Sequence, residues 1–110
     1  MNNHDIFLKG IKDKLLINLT FKTQEKGVIT RKCVPFDFGQ SKKKDSIDKT
    51  EKYHLWDLES PDVPPQHNLP VKPENVVTVE LTSESFDPAD YVKWQPPYNW
   101  FIQRDWGQFS

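Results

Sequence analysis

The chain has 110 residues, 35% of them hydrophobic, 13% aromatic and 28% charged, with a formal net charge of −1. That length sets one domain as the expectation, and the aromatic share can bury a large area per residue. A net charge so near zero excludes a chain-wide electrostatic grip on nucleic acid, which would need a local basic patch instead.

Cys33 is the one cysteine. No internal disulfide can form, which fits a reducing compartment. The start, MNNHDIFLKGIKDK, lacks the basic head and apolar run of a signal peptide. No stretch approaches the roughly 20 apolar residues of a membrane span. We expect a cytoplasmic protein without membrane contact.

In chain order, Asn3 or Asp5 is placed to cap a short helix over Ile6 to Lys12, with Ile6, Phe7, Gly10 and Ile11 on one face. The period then changes from helical to two. Leu15, Ile17, Leu19 and Phe21 alternate with Leu16, Asn18, Thr20 and Lys22, the pattern of a half-buried strand. Gln24 to Gly27 is a turn, with Gly27 free to take positive φ. VITRKCVPF is the second strand of a hairpin, with Ile29, Arg31 and Cys33 on one face and Val28, Thr30, Lys32 and Val34 on the other. Pro35 is expected to limit further pairing. GQSKKKDSIDKTEK, from Gly39 to Lys52, is polar and without period, and reads as a mobile charged loop. Tyr53 to Leu58 is the third strand. SPDVPPQHNLPVKPE is too rich in proline to be a central strand. Asn75 to Leu81 is the fourth strand. Asp87 and Pro88 start a helical turn near Ala89 to Val92. The tail from Lys93 to Ser110 carries Trp94, Tyr98, Trp100, Phe101, Trp106 and Phe109, so it is expected to pack on the domain or to form an interface.

These elements define a mostly β fold, a small and strongly bent antiparallel sheet or barrel of about four to five strands. The order also resembles the WYL domain, a small Sm/SH3-like β-barrel. FLKGIKDKLLINLTF is similar to its opening helix and strand, Arg31, Cys33 and Pro35 to its Arg-x-Val-x-Pro stretch, and Tyr53, His54 and Leu55 to its signature. Phe86 and Pro88 are similar to its closing Phe-x-Pro. The resemblance covers about Ile6 to Val92 and implies a regulatory module that binds an anionic ligand or nucleic acid. Two departures stand out. The 110 residues include no helix-turn-helix, and HNLPVKPENV holds no arginine where the family has an arginine-rich stretch; His67 and Lys72 are the basic residues there.

The candidate ligand residues are Arg31, His54, Trp56 and His67. His54 and Trp56 are two apart on one strand and so share a face. They are either a shelf on which a planar ligand or base stacks, or a core tryptophan beside a hydrogen-bonded edge histidine. Arg31 is either a bidentate anion contact or a surface charge with its stem over an aromatic ring. The candidate partner residues are Trp100, Phe101, Arg104 and Trp106, because Trp and Arg dominate interface hot spots; the other reading has this tail completing the core. Lys42 to Lys44 are largely cancelled by Asp45, Asp48 and Glu51. Cys33, mid-strand, reads as a small buried hydrophobe rather than a nucleophile. Three histidines without ligand spacing and one cysteine make no metal site, and no cofactor motif or catalytic constellation is visible. The expectation is therefore a non-enzymatic binding module, WYL-like, engaging a small anionic ligand or nucleic acid. The alternative is a protein–protein module built on the aromatic tail.

Overall fold

The computed structural model describes residues 1–40, 49–60 and 67–110; the charged loop expected over 39–52 lies largely outside them. Helix α1 spans Asn3–Asp13. Its cap is neither Asn3 nor Asp5 but Asn2, whose side chain accepts the Asp5 N–H at 2.8 Å. Lys14, at φ 57, ends the helix and returns its N–H to the Gly10 carbonyl. Phe7, Gly10 and Ile11 form its buried face, as the 3.6-residue period requires.

Five strands follow: β1 (Leu15–Thr23), β2 (Gly27–Gly39), β3 (Lys52–Asp57), β4 (His67–Val71) and β5 (Val76–Ser85). They form one antiparallel sheet in the order β4-β3-β2-β1-β5. The sheet is not closed, and β4 and β5 are its edges. The proline-rich stretch thus yields a strand, but an edge strand. Pro70 sits within it opposite His54, where a missing N–H costs least.

Alternation assigns the inner face. Ile17, Leu19 and Phe21 of β1 pair with Cys33, Arg31 and Ile29 of β2, and Cys33 and Pro35 pair with Asp57 and Leu55 of β3. Leu69 and Val71 of β4 and Val79 and Leu81 of β5 continue that face. Phe7 and Ile11 of α1, Ile17, Leu19 and Leu55 are fully buried. The helix approaches closely at Gly10, where a Cβ would meet Pro35 Cγ at 3.0 Å and Ile17 Cγ2 at 3.1 Å.

Pro35 does not end β2. The last β1 partner on that side is Ile17, opposite Cys33. Beyond it Pro35 pairs with β3 alone and packs its ring near Gly10 of α1, so its lost N–H breaks no β1 ladder bond. A register shift follows between Pro35 and Asp37, after which Asp37 pairs with His54 and Phe38 with Tyr53. This bulge adds one residue to β2 and changes which side chains point outward.

Candidate functional site

The bulge builds the outer face. Val34 pairs with Trp56 and Asp37 with His54, so Trp56 and His54 share the face opposite Leu55. The extra residue, Phe36, also turns outward and stacks on Trp56 at 4.0 Å between centroids. Tyr91, just after the 3₁₀ turn Pro88–Asp90, stacks on Trp56 at 5.4 Å with an interplanar angle of 17°. Trp56 is therefore sandwiched and 6% exposed. It is a packing residue, and only its edge is available to a ligand.

The C-terminal segment is docked on this face by a carboxylate. Asp37 accepts the backbone N–H groups of Phe101 and Ile102 at 3.2 and 3.0 Å and meets the Arg104 guanidinium at 3.4 Å. A buried carboxylate needs such donors. The Arg104 side chain is itself 0% exposed. Its guanidinium carbon lies 4.1 Å from the Trp100 ring centroid and 4.4 Å from that of Trp106, two indoles that hold a cation between them. Arg104 also donates through Nε and Nη2 to the Ile102 carbonyl, while Nη1 is enclosed without a hydrogen-bond acceptor. Burial pushes this guanidinium down, to about 10, and the neighbouring Asp37 charge opposes that shift. It remains a cation at neutral pH. Trp106 is 3% exposed and donates its indole N–H to the Ile11 carbonyl of α1 at 2.8 Å. Phe101 lies against Gly39, where a Cβ would come within 2.6 Å of Phe101 Cγ.

Between the outer face and this segment is a cleft of about 500 Å³ lined by His54, Asp37, Trp94, Tyr98, Trp100 and Phe101, with the edges of Phe36 and Trp56 at its base. Trp94 is 44% and Phe101 50% exposed, so their rings are the accessible platforms. Gln40 and Asn68 add amide groups. His54 Nε2 lies 2.9 Å from the Gly39 carbonyl. A carbonyl only accepts, so Nε2 carries the hydrogen, and in the neutral ring Nδ1 is an acceptor. No arginine or lysine lines the cleft among the described residues.

The expected ligand residues are thus not brought together. His54 is at the cleft and Trp56 beneath it. Arg31 lies on the inner face, paired with Leu19, and donates to the Glu59 carbonyl at 2.6 Å. It borders a separate hollow of about 480 Å³ with Asp57 and Leu69. Arg31 and Trp56 point to opposite faces of the sheet, because they have opposite parity in paired strands. His67 pairs by its backbone with Asp57, and its side chain lies outside the described residues. Of the expected partner residues, Phe101 and part of Trp100 reach the surface. Arg104 and Trp106 are interior, held by Asp37 and Ile11. Lysines 42–44 lie outside the described residues.

Asp37, Trp94 and Tyr98 were not singled out for the site. Trp94 was legible only as one member of an aromatic tail. Asp37 carried no signal, because its inward partners are more than 60 residues away in sequence. Cys33 is 0% exposed, and burial pushes its thiol up, so it stays protonated and is no nucleophile. Among the described residues no group of three His, Cys, Asp or Glu side chains converges as metal ligands, and no helix is long and apolar enough to cross a membrane. No family model, curated protein or solved structure matches the chain.

Proposed function

We propose that this protein is a non-enzymatic binding module and that its site is the aromatic cleft beside His54 and Trp94. The observation that carries this reading is the cleft itself. Its volume of about 500 Å³ falls within the range of small-molecule sites, which are mostly apolar with a few placed polar groups. Trp94 and Phe101 offer ring surface, and His54, Asn68 and Gln40 offer hydrogen bonds. The WYL resemblance supports a regulatory role for such a module. The anionic ligand that the resemblance implies lacks support here, since the one charged group in the described lining is the carboxylate of Asp37. A second reading, a protein partner seated on the same patch, draws on the 44% and 50% exposure of Trp94 and Phe101.

The test is an NMR titration of the whole chain with benzyl alcohol, benzylamine, benzoate and a single-stranded oligonucleotide. The reading predicts that at least one ring compound shifts the Trp94 indole and His54 ring signals, and that Trp94→Ala weakens it. Shifts confined to Arg31 and its neighbours, or none with any compound, would contradict it.

A further inference from the structure

The cleft has an electrostatic sign, and we infer from it that the ligand carries an organic ammonium group. This rests on the cleft being the binding site. Asp37 and Arg104 form a buried pair, but only Asp37 lines the cleft. The guanidinium lies behind it, enclosed between Trp100 and Trp106. The pair is neutral as a whole, and Asp37, although 3% exposed, is its member in the cleft lining. The accessible aromatic rings add to this, because a ring face is the negative part of its quadrupole. The neutral His54 tautomer that turns Nε2–H to the Gly39 carbonyl has its lone pair on Nδ1. Asn68 and Gln40 can turn either a carbonyl or an amide toward a ligand.

These groups stabilise a positive charge and oppose a negative one. A soft cation with alkyl substituents suits the surroundings best, since its methyl groups pack on Trp94 and Tyr98 while its charge meets the π faces. The protein already uses the same chemistry internally, where Trp100 and Trp106 hold Arg104. An anion would instead lie against aromatic rings with the Asp37 carboxylate buried beneath, and no lysine or arginine stands in the described lining to receive it.

The test compares three probes of one shape by NMR titration. They are choline, its uncharged isostere with carbon in place of the quaternary nitrogen, and the matching tert-butyl carboxylate. Choline should bind tighter than the isostere by about two- to thirtyfold, the span of roughly 0.5–2 kcal/mol for a cation on aromatic rings. The carboxylate should bind weakest, and Trp94→Ala should remove most of the choline preference while Trp94→Phe keeps part of it. Equal binding of choline and isostere, or tighter binding of the carboxylate, overturns the ammonium inference and leaves the cleft as the site. No shift with these three or with benzyl alcohol overturns both.

Discussion

At the scale of single residues, Asp37 organises the site. Its carboxylate receives two backbone N–H groups and the Arg104 guanidinium. Removing it takes an acceptor from two backbone N–H groups and the counter-charge from the buried guanidinium, so Asp37→Ala should cost about 3 kcal/mol or more in urea denaturation. Asp37→Asn should fall between, because an amide oxygen still accepts but the charge is lost. Gly39 is a second fixed point. Gly39→Ala pushes a methyl group into the Phe101 ring and should cost about 1–3 kcal/mol, the usual effect of overpacking. Trp94→Ala should change stability by about 1 kcal/mol or less, since Trp94 is 44% exposed. Little of this was legible in the sequence. His54 and Trp56 were seen to share a face because strand parity is local. The clamp joins β2 to the C-terminal segment, and no local pattern marks Asp37 as the residue that does so.

At the scale of elements, the informative feature is the bulge after Pro35. Alternation predicted the inner faces of β1 and of β2 up to Cys33, and the pairing agrees. Pro35 was expected to limit further pairing, yet β2 continues past it through a bulge in which one extra residue turns Phe36 and Asp37 to the same side. The same local reading found the turn at Gly27, which has φ 68, and the 3₁₀ start capped by Asp87. The open edge of β5 is covered by the Asn3 side chain, which donates to the Val77 carbonyl and accepts the Val79 N–H. It replaces the hydrogen bonds of a neighbouring strand. Asn3→Ala should cost about 1–2 kcal/mol and free an edge for pairing with another copy. Sedimentation of the variant should then show concentration-dependent association stronger than that of the parent.

At the scale of the whole molecule, the sequence left open whether the aromatic tail was core or interface. The tail is both packed and partly presented: Arg104 and Trp106 are interior, while Trp94 and Phe101 stay exposed. Stability should also respond to high pH. Burial raises the Tyr53 and Tyr91 hydroxyls above their ordinary range. Between the unfolded value, about 10, and the higher folded values, the native state holds protons that the unfolded chain has lost. Stability therefore falls as pH rises through that window, and thermal unfolding should show Tm dropping there in step with tyrosinate absorbance.

The C-terminal segment belongs to the fold and forms one side of the cleft. Hydrogen exchange followed by NMR tests it most directly. The Trp106 indole N–H and the Phe101 and Ile102 amides should be protected as strongly as the β1 amides at Leu19 and Phe21, while the Trp94 indole exchanges fast. Rapid exchange at Trp106, Phe101 and Ile102 alongside a protected β1 would contradict it, for the segment would then be undocked and the cleft would have no second wall.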